Sequence, residues 1–224
     1  SVIGASVGGQ QVLEWSIQQP ELFERIIPIA TNVKHSPFGI AYNEAQRLAI
    51  EADPTFFQHD YNGGRAGLIA ARAIGMLRYR TSEGYQLTQA ESTEDKSDAF
   101  KAASYQRYQG EKLANRFNAY SYWYLTKAMD GHNIARGRNQ ASLVLSQIHI
   151  SALVVGIDSD ALFPIEEQQF IAEHLPNAQL ATLSSSFGHD GFLVEFDALT
   201  KHIQQFLLAP FFNNKATVQV ANSN

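Results

Sequence analysis

The chain of 224 residues has no cysteine. That excludes disulfides and thiolate metal sites, and leaves the redox compartment open. Charge is also sparse, at 17% of residues, with 17 Lys and Arg against 22 Asp and Glu and no basic run. A net charge of −5 without clustered cations argues against a nucleic-acid partner. No apolar stretch approaches the roughly 20 residues of a membrane-spanning helix, and no signal peptide is visible. A cytoplasmic protein with no membrane partner and no metal is therefore expected. Internal repeats are absent too. What is abundant is apolar side chain, 45% of the chain, enough to bury a sizeable core.

The residues that organise the rest come first. Gly4-Ala-Ser6-Val-Gly8 fits G-x-S-x-G, a strand-to-helix turn that holds a serine at its apex. Such a turn strains the serine's backbone and needs small neighbours. The Ser6 hydroxyl would stand at the carboxyl end of a sheet, and the Val7 N–H would supply one oxyanion donor. Only Ser1-Val-Ile3 precede this motif, and there is no initiator Met. The expectation is that the chain lacks the N-terminal part of a longer protein, with its first strands and the second oxyanion donor.

Further along, residues 9–20 read as a helix ended by Pro20, and Arg25-Ile-Ile-Pro-Ile-Ala-Thr31 reads as a buried parallel strand. Pro28 removes one ladder donor and should lie near that strand's end. Strand, turn, helix and strand make a βαβ unit. Residues 32–147 carry helical signals without a convincing strand: 40–52, 66–79, 98–113 and 116–129, with 86–97 as an exposed polar loop. Strand patterning returns in 149–157 and 179–183, separated by a helix at 165–174 and followed by one at 192–208. The predicted organisation is an α/β-hydrolase core in two parts, residues 1–34 and 148–208, a helical cap at 35–147 and a flexible tail at 209–224.

A serine nucleophile needs a base, and the base needs an orienting carboxylate. In this fold they follow in the order serine, acid, histidine, on loops after later strands. His189 lies in the loop after the last strand, where ligands bind in open α/β sheets. His35, His59, His132, His149, His174 and His202 lie in helical, polar or wrong-sided positions. Asp158 and Asp160 both follow the strand at 149–157, and either could be a helix cap. Asp160 is favoured because it lies deeper in the loop, before Ala161-Leu-Phe-Pro164.

Several motifs carry a resemblance. Gly4-Ala-Ser-Val-Gly-Gly-Gln-Gln-Val-Leu-Glu-Trp15, Asn43-Glu-Ala-Gln-Arg-Leu-Ala-Ile-Glu-Ala-Asp-Pro54, Asp158-Ser-Asp-Ala-Leu-Phe-Pro164 and Gly188-His-Asp-Gly-Phe-Leu193 resemble stretches of the homoserine O-acyltransferases, chiefly the acetyltransferases. Tyr108-Gln-Gly-Glu-Lys and Arg116-Phe-Asn-Ala-Tyr-Ser-Tyr122 resemble a cap stretch of that family. The similarity runs from Val2 to about Leu207. Val7 departs from it, since many relatives have methionine there.

The resemblance implies ping-pong acyl transfer from acetyl-CoA to L-homoserine through an acyl-serine, with Ser6, Asp160 and His189 as triad and no bound cofactor. It implies that Arg72 takes the acceptor's carboxylate, with Tyr79 two turns on along the same helix face. Asp190 matches the residue that takes the amine. It also implies a homodimer joined through the caps, and the aromatic cluster Tyr120–Tyr124 is read as cap core or dimer contact. Rival readings are a succinyl donor or a serine acceptor, an esterase running the same triad, and an inactive truncated homologue.

Overall fold

A computed structural model describes residues 1–58 and 60–210. His59 and, from residue 211 on, the expected tail lie outside the described residues. Four strands, β1 (Val2–Ala5), β2 (Arg25–Ile29), β3 (Ser151–Ile157) and β4 (Ala178–Leu183), form a parallel sheet in that order. Helix α1 (Val7–Gln18) makes the first crossover, and α8 (Ile165–His174) joins β3 to β4.

The unbroken apolar runs of β2 and β3 follow from helices covering both sheet faces. Successive side chains point to opposite faces, so each strand feeds two cores. Ile26, Ala152 and Val154 pack with Val12 and Leu13 of α1 and Ile171 of α8. Ile27, Ile29, Leu153, Val155 and Ile157 pack instead with Phe206 of α9 (Phe196–Leu208). Pro28 is the fourth of the five residues of β2, opposite Gly4 of β1. Arg25 ties down the end of α9 by donating to the carbonyls of Phe206 and Ala209.

The helical insertion leaves the core at Lys34, bridges back at Asn133, and is closed by the His35 N–H to His132 carbonyl bond of 3.1 Å. It contains α2 (Pro37–Glu51), α3 (Arg65–Tyr79), α4 (Ser82–Gln89), α5 (Lys101–Ala114) and α6 (Ala119–Asp130). Its own small core joins Ile50, Phe56, Leu68, Ala71, Leu113 and Ala119. Two differences from the sequence reading have clear causes. Residues 82–89, read as part of or beside a polar loop, form α4 because Thr81 accepts the Gly84 N–H at 2.8 Å and caps it. Residues 134–147, read as cap, belong to the core side: Ile134 and the α7 (Ala141–Ser146) residues Val144 and Leu145 are buried against α1 and the sheet.

A buried cation pins the cap. Arg47 of α2 is 2% exposed. It donates to Glu44 at 2.5 Å, to Thr126 at 3.1 Å and to Asp130 at 2.6 Å. Asp130 in turn accepts from Asn43, whose amide also meets the buried His35 ring.

The tight turn at Ser6 constrains its glycines unequally. A Cβ on Gly4 would lie 2.2 Å from the Gly8 carbonyl oxygen, and one on Gly9 would lie 2.6 Å from Thr31 Cβ. A Cβ on Gly8 would meet nothing within 4 Å. The packing demand therefore falls on positions 4 and 9 rather than on the motif's second glycine. Gly4→Ala is expected to destabilise by about 3 kcal/mol, because the nearest atoms are those of the Gly8 backbone carbonyl, which cannot rotate aside. Gly8→Ala should stay within about 1 kcal/mol of wild type, on the stabilising side, since it adds helix propensity. Paired urea melts check this, and equal losses at both positions would overturn it.

Candidate functional site

Every sequence-predicted site residue lies at the carboxyl edge of the sheet or on the cap elements above it. Ser6 sits at φ 55°, ψ −123°, a region that non-glycine residues rarely adopt. Two bonds hold it there: its N–H donates to Ile29 carbonyl at 2.9 Å, and its carbonyl accepts from Thr31 Oγ1 at 2.9 Å. Among the described residues no side chain hydrogen-bonds the Ser6 hydroxyl. Val7 is the first residue of α1, so its N–H has no acceptor within the helix and lies at the positive end of the helix dipole.

Asp160 and His189 meet. Asp160 Oδ2 accepts from His189 Nδ1 at 2.7 Å, and both residues are 4% exposed. Asp160 Oδ1 is itself held by the Leu162 and Phe163 N–H groups at 2.8 and 3.0 Å. A carboxylate acceptor at Nδ1 puts the ring proton there and leaves Nε2 as the basic nitrogen. The ring is clamped by Phe163, Phe192 and Tyr79, with centroids 5.1, 5.5 and 5.9 Å away. Asp158 does other work: its Oδ1 accepts the Ser185 N–H at 3.1 Å, tying the acid loop to the histidine loop. Gly188, at φ 63°, lets that loop pass close beneath Tyr79.

Above the ring runs α3. The Arg72 guanidinium lies 5.1 Å over the Tyr79 ring, which itself leans on His189. No carboxylate among the described residues pairs with Arg72, and its Nε is buried without a hydrogen-bond partner. Asp190 is paired already: its Oδ2 accepts from Arg80 Nε at 2.8 Å. Arg80 was not among the site residues to which the sequence pointed. Tyr122 packs against the cap's own core, in line with the cap-core reading of the aromatic cluster, and Tyr42 meets Tyr79 edge-on with ring centroids 6.5 Å apart. Burial drives the Tyr122 hydroxyl well above its usual range, with Tyr79 adding to the effect and Arg72 opposing it. Helix periodicity placed Tyr79 on the same face as Arg72, but carried no sign of these neighbours from α2 and α6.

Beside the acid loop, burial pushes the Glu167 carboxyl up to about 7, with Asp160 and Glu166 adding to the effect and Asn32 opposing it. The native state thus holds this proton more tightly than the unfolded chain. Its contribution is fully present below about pH 4.5 and is lost as the pH rises through about 7. Glu167→Gln is expected to be neutral near pH 4 and to stabilise by roughly 1–2 kcal/mol near pH 8. Urea melts at the two pH values check it, and an equal effect at both would overturn it.

Among the described residues no group of His, Asp and Glu side chains could hold a metal ion, and no helix is long and apolar enough to cross a membrane.

Residues 1–196 match the alpha/beta hydrolase fold family. The homoserine O-acetyltransferase of Cyclobacterium marinum is 48% identical over 208 residues, covering 93% of this chain and 59% of that protein. The crystal structure of homoserine O-acetyltransferase from Staphylococcus aureus is 30% identical with a TM-score of 0.78, covering 96% of this chain and 60% of that one. An acetylester hydrolase from Corynebacterium glutamicum superposes with a TM-score of 0.80 at 18% identity, over 93% of this chain and 61% of that one, a likeness of fold alone. The chain thus spans about three fifths of the length of the relatives it matches. With a parallel sheet, a strained serine between β1 and α1, and a match that runs through the histidine loop, the chain belongs to the alpha/beta hydrolase fold family.

Proposed function

We propose that the protein transfers an acetyl group from acetyl-CoA to the hydroxyl of L-homoserine, giving O-acetyl-L-homoserine for methionine biosynthesis. The observation that carries this reading is Arg72, a cation stacked on Tyr79 beside the His189 ring and paired with no carboxylate of the described chain. An ester hydrolase has no use for such a group, whereas an amino-acid acceptor brings a carboxylate to it. The names of the relatives at 48% and 30% identity support the same choice.

In this mechanism His189 Nε2 takes the Ser6 hydroxyl proton as Oγ attacks the thioester carbonyl. The Val7 N–H faces the developing oxyanion. The C–S bond breaks, the CoA sulfur leaves with the proton from the imidazolium, and an acyl-serine remains. Homoserine's hydroxyl then gives its proton to Nε2 and attacks the acyl carbon, and Ser6 Oγ departs with that proton. Asp160 keeps Nδ1–H aligned and stabilises the imidazolium in both halves. Arg72 holds the acceptor's carboxylate against Tyr79, and Asp190 takes its ammonium. No bound cofactor takes part. A homodimer through the cap and a cytoplasmic location complete the proposal.

The test measures CoA release from acetyl-CoA with and without homoserine, and repeats it with succinyl-CoA and with serine. Release that depends on homoserine and is fastest with the acetyl donor is expected. Fast hydrolysis indifferent to homoserine, or preference for succinyl-CoA or serine, would overturn the reading.

A further inference from the structure

The last turn of α3 and the residues after it are stitched to both loops that carry the Asp160–His189 pair. Arg78 donates to the Ala161 carbonyl at 2.6 Å in the acid loop. Thr81 Oγ1 donates to the Ser186 carbonyl in the histidine loop. Between them Arg80 reaches Asp190, which is adjacent in sequence to His189. The Arg80 guanidinium is fixed from its other side by the Phe187 ring, 5.1 Å away. The Arg80 and Asp190 side chains are 21% and 12% exposed, so neither end of the pair is simply a solvated surface charge.

From this geometry we infer that Arg80 is a positioning residue for the acceptor: it holds the Asp190 carboxylate at a set distance from Arg72. The inference rests on the proposed transfer to homoserine. Arg72, Tyr79 and Arg80 belong to one stretch of cap, nine residues from first to last. The helix that supplies the site for the acceptor's carboxylate therefore also aims the group for its ammonium. The Arg80 bond uses only Oδ2 of Asp190, which leaves Oδ1 for the ammonium, so the two cations do not compete for one oxygen. Without Arg80 the carboxylate keeps its burial and loses its only charge partner among the described residues, and it turns away. Small displacements of a substrate-positioning group are costly, because the reacting atoms must approach within about 3–3.5 Å in line. The first half-reaction, which involves no ammonium, needs none of this.

The experiment uses the intact protein and begins with the wild type. If wild-type CoA release does not respond to homoserine, the proposed transfer fails, and the variants are not what decided it. Given that response, Arg80→Met is expected to raise KM for homoserine about tenfold or more. The burst of CoA release from acetyl-CoA alone should stay within about twofold of wild type. Asp190→Asn should raise KM for homoserine at least as far, and the double variant should be no worse than Asp190→Asn, since Arg80 acts through that carboxylate. If Arg80→Met does not fold, Arg80→Lys carries the same test, because a lysine ammonium cannot reproduce the Nε–Oδ2 geometry. An unchanged or lower KM, a burst that falls in step with the KM effect, or additive losses in the double variant would each overturn the assignment. Thr81→Val separates recognition from docking. It breaks the neighbouring contact to the same loop, together with the cap on α4, and leaves the Arg80–Asp190 pair in place, so a KM rise equal to that of Arg80→Met would also overturn it.

Discussion

Replacing Ser6 with alanine is expected to lower the transfer rate by about 10⁴- to 10⁶-fold while the protein folds as before. Under the proposed reaction no other group can accept the acyl chain, and triad members act as a unit, so losing the nucleophile costs nearly the whole chemical advantage. The residual rate should come from bound acetyl-CoA meeting water or homoserine near the Val7 N–H. Alanine keeps the backbone at φ 55°, ψ −123°, so the melting temperature should hardly move. Ser6→Gly is equally inactive but relieves that conformation, and is expected to gain about 1–2 kcal/mol of stability. Steady-state CoA release and thermal melts on the three proteins decide the matter. Activity in Ser6→Ala within about tenfold of wild type would mean another residue carries the acyl group.

Arg47→Ala should produce the largest loss of stability, about 3–5 kcal/mol, because it leaves Asp130 and its Asn43–His35 contacts without a cation inside the cap. For a chain of this size that corresponds to a melting shift on the order of 10 °C. The damage should be local. Proteases should cut within residues 35–132 well before they attack the sheet, since the two cores on the sheet faces contain no residue of this network. Burial of His35 and His132 holds both rings below their usual range. Their share of the stability of this region is therefore present above about pH 6.5 and fades as the pH falls. A loss below about 1 kcal/mol in Arg47→Ala would show that water replaces the guanidinium easily.

The parts of the fold that could be read from the chain are those written in short-range pattern. Arg25–Ile29 and Ser151–Ile157 are apolar on both faces because both faces are covered, and that shows as an unbroken run. The Gly4–Gly8 turn is legible because few residues tolerate what the backbone does there, although the steric demand proved to lie at Gly4 and Gly9. The helix at Ile165–His174 was recognisable from its own periodicity, and the long strandless stretch marked an insertion.

Other features depend on contacts between distant residues. Asp158 and Asp160 are two positions apart in one loop and chemically identical. Only the path of the histidine loop, which brings His189 to one and the Ser185 N–H to the other, distinguishes them. Arg72 and Arg80 look alike along α3 and its cap. One faces Tyr79 while the other finds a carboxylate 110 residues away. Tyr122, read as cap core or dimer contact, borders Tyr79 because α6 packs over α2 and α3. By itself, then, the sequence determined the βαβ frame, the serine turn, the helical insertion and which loops end at the sheet's carboxyl edge, all set by interactions within a few residues. The tertiary structure alone decided which carboxylate meets His189, where the cap ends, and which arginine is held by Asp190. These depend on packing between segments tens to over a hundred residues apart, which no local pattern encodes.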